Sequence, residues 1–204
     1  MATITITKPD LGFAAVHIKG RAPYVQNRFG AKAQAQIQAT QEAGSQSRSK
    51  KARTARDFAA NYQDALHVTA EGWYGIPAPA IRAAMIDACR MTGAKMTFAK
   101  MSVFVQHDGF DKDDNTPLVR ILGEPEAFMA YVRNQTGVVD LRCRPMWKEW
   151  DATVRLQWDL GQFSGSDILN LLMRAGLQVG IGEGRPFSKN SSGMGWGIFE
   201  VVSD

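Results

Sequence analysis

The densest chemistry in the chain lies near its C-terminal end. There Gly180-Ile181-Gly182-Glu183-Gly184-Arg185-Pro186 is followed by Lys189 and then by Gly193-Met194-Gly195-Trp196-Gly197. Six glycines, Gly180, Gly182, Gly184, Gly193, Gly195 and Gly197, fall within 18 residues. Glycine tolerates positive φ and close backbone approach, and successive N–H groups in such a stretch can converge on an anion. Arg185 and Lys189 add positive charge beside it. A dinucleotide fingerprint needs Gly-x-Gly-x-x-Gly opening a helix. Here the glycines run into Arg-Pro and end in a strand, so that reading fails. The bland alternative is a hairpin whose glycines relieve crowding.

Acid–base and metal chemistry find less support. His17 falls in a strand, His67 follows a basic segment and His107 sits at a strand end beside Asp108. Their spacing yields no Ser/His/Asp or Cys/His arrangement. Cys89 and Cys143 form no Cys-x-x-Cys pair, which argues against structural zinc and for a reducing compartment, the cytoplasm. The acidic turn with Asp108, Asp111, Asp113 and Asp114 lacks the central glycine and terminal glutamate of a calcium loop. It reads as a solvated turn. No catalytic residue, metal or cofactor is expected.

Charge points to a polyanion. The net charge is +4, yet Arg28, Lys32, Arg48, Lys50, Lys51, Arg53 and Arg56 share their stretch with Glu42 as its only acid. That stretch carries +6 and the rest of the chain −2. A localised basic segment suits nucleic acid better than a folded core. Binders of single strands combine such charge with aromatic platforms. Arg142, Arg144 and Arg155 are candidates for one open sheet face, and Tyr24, Trp147, Trp150 and Trp196 are candidate stacking groups.

The elements that must position these residues follow from periodicity. Met1 to Thr7 alternates apolar and hydroxyl residues and reads as a strand, not a signal peptide. A strand is expected over Phe13–Lys19. Residues 31–61 are polar, basic and poor in large apolar side chains, and read as a mobile insertion whose Ala31–Ala43 part has good helix formers. Ile81, Ala84, Met85, Ala88 and Cys89 give helical spacing over Pro79–Thr92, closed by Gly93. Strands are expected over Met96–Gln106 and Leu118–Leu122, then a short helix over Pro125–Arg133. Asp140–Arg144 and Ala152–Trp158 alternate as strands with one buried face. A helix over Asp167–Ala175, capped by Ser164 or Ser166 and stopped by Gly176, precedes strands over Leu177–Ile181 and Trp196–Val202. This order is that of an α+β, ferredoxin-like (RRM-like) antiparallel sheet with helices on one face, in a single domain spanning 1–204. No run of apolar residues is long enough to span a membrane as a helix.

The Gly180–Gly197 pattern resembles the glycine-rich loop of the RAMP superfamily, the ferredoxin-like RNA-binding proteins of CRISPR systems. The segment Gly75-Ile76-Pro77-Ala78-Pro79-Ala80-Ile81-Arg82 is similar to the one opening the first helix in backbone subunits of effector complexes. Arg82 stands there where that family has lysine, and Ala-Pro-Ala replaces Gly-Ser-Ser. Together the two motifs cover about a seventh of the chain. The chain also resembles single-domain, phage-encoded relatives of that fold. The resemblance implies binding of single-stranded DNA or RNA without catalysis, with Arg82 among the contacts and copies stacked as a homo-oligomer or filament. Two other classes stay open: a metal-independent endoribonuclease of the same fold, and a phage decoy that blocks a host CRISPR complex.

Overall fold

The computed structural model of the chain describes residues 8–28, 39, 57–133, 139–188 and 193–202. The strand expected over Met1–Thr7 and the helix expected over Ala31–Ala43 lie outside these residues, apart from the single position 39.

The framework is α+β and every strand pairing in it is antiparallel. Strand β1 (Leu11–Gly20) pairs along its length with β9 (Asp151–Asp159), so that Phe13 lies opposite Gln157 and Ile18 opposite Ala152. On the other side of β1 lies β10 (Phe199–Val201). The free edge of β9 is shared by two strands in succession. Strand β4 (Val103–Gln106) pairs with residues 155–158, and β6 (Pro117–Leu122) pairs with Asp151 and Ala152. Short strands β3 (Gly75–Pro77) and β5 (Gly109–Phe110) extend the sheet beyond β6. A second sheet holds β2 (Tyr24–Val25), β8 (Val139–Trp147) and β7 (Glu126–Arg133).

Alternation along β9 decides which face of the larger sheet is covered. Ala152, Val154, Leu156 and Trp158 are buried, while Thr153 and Arg155 are exposed. Two helices lie over the buried side. Helix α2 (Ala78–Ala88) contributes Ile81, Ala84, Met85 and Ala88, the expected stripe, and Cys89 is buried just beyond it. Helix α4 (Gly165–Arg174) contributes Ile168, Leu171 and Leu172. Its start is fixed by a reciprocal cap: the Asp167 N–H donates to Ser164 Oγ, and the Ser164 N–H donates to the Asp167 carboxylate at 2.9 Å. Ser164, and not Ser166, is therefore the cap.

Several expected elements differ from the structure. Met96–Gln106 is not one strand: Met96–Ser102 forms helix α3, burying Ala99 and Ser102 on one face, and only Val103 onward is extended. The change of state follows composition, since Met, Ala and Lys favour helix and the Val-Phe-Val run favours strand. Pro125–Arg133 is not a helix but contains β7, whose eight residues pair in register with β8. Gly176 does not stop α4. The chain widens there into one π-type turn, Ala175–Val179, in which the Gly180 N–H donates to the carbonyl of Ala175 at 2.8 Å. The strand expected over Leu177–Ile181 is thereby replaced, and the last strand begins at Phe199, not Trp196. The insertion expected over 31–61 also ends early, because α1 (Phe58–Asp64) begins at Phe58, with the Asp57 carboxylate accepting from the Ala60 N–H at 3.0 Å.

Aromatic packing fills the corner between the sheets. Tyr24 lies 5.5 Å from Trp147 and 5.6 Å from Trp150 between ring centroids, and Trp150 meets Phe199 edge-on. Both indole N–H groups are satisfied by carbonyls, that of Trp147 by Gly123 and that of Trp150 by Ala22.

Candidate nucleic-acid interface

The glycine-rich loop leaves the π turn with all six of its glycines at φ between 66° and 78°. At Gly182 the close approach is as decisive as the φ: a Cβ there would sit 2.5 Å from the carbonyl oxygen of Val25 and against the Tyr24 ring. The fold of the loop is held by Met194 N–H donating to Gly184 C=O at 2.7 Å, and by Ile181 N–H donating to Gly197 C=O at 3.1 Å. The Arg185 guanidinium donates to the Gly182 carbonyl at 3.1 Å. Among the described residues, no acceptor takes the N–H of Gly182 or Gly184.

Facing the loop is one flank of α2, whose first turn has Pro77 at its N-cap, no side-chain cap and no acid. Loop and helix enclose a cleft of about 410 Å³ whose wall includes Pro77, Ala80, Ala83, Ala84 and Asp87 on one side and Gly180 to Arg185 on the other. Two motifs about a hundred residues apart in sequence thus line one cavity.

His67 also lines this cleft, and sequence reasoning missed it. Its Nδ1 lies 2.8 Å from Asp111 Oδ2, and its backbone N–H donates to Gln26 Oε1 at 2.7 Å. Asp111 Oδ1 accepts from Arg28 Nη1 at 3.1 Å and from the Asp113 N–H at 2.9 Å, and Arg28 reaches Asp113 at 2.8 Å. Burial pulls the His67 imidazole below its ordinary value, although Asp111 and Asp114 pull the other way. Burial pushes the Asp111 carboxyl up, but the Asp113 N–H, His67 and Arg28 outweigh it and hold it below the usual carboxylate range. The pair is therefore a neutral imidazole with its proton on Nδ1, beside an ionised carboxylate. Ligand atoms of His67, Asp111 and Asp114 come within 4.8 Å of one another, but the Arg28 guanidinium already supplies the cation at Asp111.

These contacts correct two expectations. The acidic turn is not simply solvated, because Asp111 is fully buried and organises it. Arg28 is not part of a free basic surface: only 8% exposed, it is spent on Asp111, Asp113 and the carbonyl of Asp64.

The remaining candidates scatter. Lys32, Arg48, Lys50, Lys51, Arg53, Arg56 and Lys189 lie outside the described residues. Arg142, Arg144 and Arg155 do not share one face, since the first two are on β8 of the small sheet and the third is on β9 of the large one. Arg144 is buried and donates to Glu183 at 2.9 Å, tying β8 to the glycine-rich loop. Arg155 is half-exposed and pairs with Asp108. Arg82 donates to the carbonyls of Val103 and Lys100 and lies over the Phe104 ring at 5.0 Å, clamping α2 to β4.

Tyr24, Trp147 and Trp150 are core residues, not stacking platforms, and burial raises the Tyr24 phenol well above its ordinary value. Trp196 is half-buried against Gly184 and edge-on to Phe128. On β1 and β4 the aromatics presented to solvent are Phe13, 61% exposed, and Phe104, 43% exposed, which flank Gln157 in one row across β1, β9 and β4. Alternation in β1 contained this signal: the mixed run Phe13-Ala14-Ala15-Val16 fits either phase, and Ile18 settles it by pointing inward.

No protein-family model matches the chain, and no curated protein matches it. Among the described residues no helix is long and apolar enough to cross a membrane.

Proposed function

We propose that this chain is a non-catalytic binder of single-stranded nucleic acid on a ferredoxin-like framework, related to the RAMP superfamily that its two motifs resemble. The strand order β10-β1-β9-β4 with α2 and α4 as crossovers supports the framework, being the connectivity of a split β-α-β pair. One observation carries the functional reading: the glycine-rich loop and the alanine-rich flank of α2, the two segments of the resemblance, face each other across one cleft. The N–H groups of positive-φ glycines beside Arg185 suit phosphate oxygens, without demanding a base sequence.

Residues 29–56 supply the electrostatics. They hold six basic residues against Glu42 alone, a net of +5 once Arg28 is assigned to the interior, and they join the domain directly after the cleft residues Gln26 and Asn27. Phe13 and Phe104 take over the stacking role expected of the tryptophans. Copies of the chain then coat a strand side by side.

The test is a salt titration of binding to single-stranded DNA, RNA and duplex. Replacing Lys50, Lys51, Arg53 and Arg56 by glutamine should weaken binding to single strands. It should also flatten the slope of log affinity against log salt by about 0.7 for each phosphate that is no longer neutralised. An unchanged slope and affinity would remove the basic segment from the interface.

A further inference from the structure

The cleft holds a polar atom that the fold leaves unused. His67 is more than nine-tenths buried, yet it lines the cavity between the glycine-rich loop and α2. Its Nδ1 is committed to Asp111, and among the described residues no hydrogen bond engages Nε2. A carboxylate held ionised by Arg28 and by the Asp113 N–H accepts only. The imidazole proton is therefore fixed on Nδ1, and Nε2 is left with its lone pair. The buried amide beside it, Gln26, is spent: it donates to Gly75 C=O at 2.8 Å and to the Tyr24 hydroxyl, and accepts from the His67 N–H. At about 410 Å³ the cleft is at the small end of ligand cavities, the size of one nucleotide rather than of a strand.

We infer that His67 Nε2 is a specificity-determining acceptor, taking a hydrogen bond from a neutral donor on the nucleotide seated in the cleft. The inference rests on the nucleic-acid reading above and deepens it. Backbone N–H groups and Arg185 donate, and so recognise phosphate. His67 Nε2 is a buried acceptor beside them, placed to discriminate among nucleotides by their neutral donors. Three donors on a nucleotide fit this chemistry, a ribose 2′-hydroxyl, an exocyclic base amine and the ring N–H of uracil or thymine. An amine or ring N–H is lost as a partner when Nε2 is itself protonated and becomes a donor, whereas a hydroxyl can turn and accept from it.

Homopolymers of adenine and of uracil or thymine, each in ribose and deoxyribose form, separate the three sources. A hydroxyl partner gives preference for ribose strands whatever the base, an amine partner preference for adenine whatever the sugar, and a ring N–H partner preference for uracil or thymine whatever the sugar. Each preference is expected at about three- to tenfold, the worth of one neutral hydrogen bond. His67→Phe should abolish it, and His67→Gln, whose amide oxygen still accepts, should restore part. For a base donor the preference should fade as pH falls and the imidazole protonates, below the ordinary imidazole range because burial holds the ring down. The charged groups around it are Asp111, Asp113 and Asp114 from the acidic turn, Arg28, Asp87 from α2, and Glu183 and Arg185 from the loop.

Should His67→Phe fail to fold, the wild-type chain still decides the matter. Its imidazole ¹⁵N resonances should show a protonated Nδ1 and a bare Nε2, with Nε2 alone moving when the preferred strand is added. A wild-type protein that binds all four strands equally overturns the inference, as does a folded His67→Phe that keeps the preference, or an Nε2 resonance that does not move. Absence of binding to every strand at low salt overturns the nucleic-acid reading itself, and the inference with it.

Discussion

At the scale of single residues, the sequence counts charge but not its employment. Arg28 and Arg155 are both arginines paired to an aspartate, Asp111 and Asp108 respectively, yet the first is interior and the second faces water. Removing the guanidinium of Arg28 leaves Asp111 charged, buried and short of its main counter-ion. Breaking a buried pair in this way costs about 3–5 kcal/mol. Exposed pairs are worth at most about 1 kcal/mol, because water and salt screen them. Arg28→Ala should therefore lower the denaturation midpoint sharply, while Arg155→Ala should leave it nearly unchanged. Chemical denaturation of both variants checks this, and equal midpoints would contradict the network described for Arg28. The same network explains why His67 was invisible in the sequence. Its partners are 41 and 44 residues away, and no local spacing encodes that distance.

At the scale of elements, the glycine-rich loop shows how one residue type does two different jobs. Gly182 needs both its φ of 78° and its missing Cβ, which would collide with Val25 and Tyr24. Gly195 needs only its φ of 75°, since nothing lies within 4 Å of a Cβ built there. A left-handed conformation alone costs a non-glycine residue about 1–2 kcal/mol. Gly195→Val should thus fold with a modest loss of stability. Gly182→Val must in addition displace β2 or the loop, and is expected to unfold the cleft or abolish binding. Thermal melts and strand binding of the two variants separate these outcomes, and equal behaviour would mean that the packing at Gly182 is not as described. Elements with clear period were legible: α2, β9 and the capped start of α4 stand close to where their patterns put them. Those overridden by context were not. The residues of β7 become extended because β8 offers a full register of partners, and the end of α4 widens where Gly176 packs against Phe199 in β10.

At the scale of the whole molecule, the large sheet has one face under α2 and α4 and one face showing Phe13, Gln157, Phe104 and Arg155. Basic residues 29–56 of neighbouring copies would repel one another in the absence of a polyanion. Assembly on a strand should therefore be ligand-dependent, cooperative and weakened by salt. Sedimentation with single strands of increasing length should show complexes growing in regular steps. A fixed one-to-one complex on long strands would sink the stacking proposal.

By itself the sequence determined the α+β class, the buried stripes of α2 and β9, the location of the positive charge and the existence of a glycine-rich loop. Each of these is a property of neighbours along the chain, of periodicity, composition or backbone freedom. Only the tertiary structure decided that Arg28 and Arg144 are interior, that Tyr24, Trp147 and Trp150 are core, and that His67 meets Asp111 at the edge of the cleft. The physical reason is burial. Whether a charge or an aromatic ring faces water or protein depends on which distant segments cover it, and chain-local pattern does not carry that information.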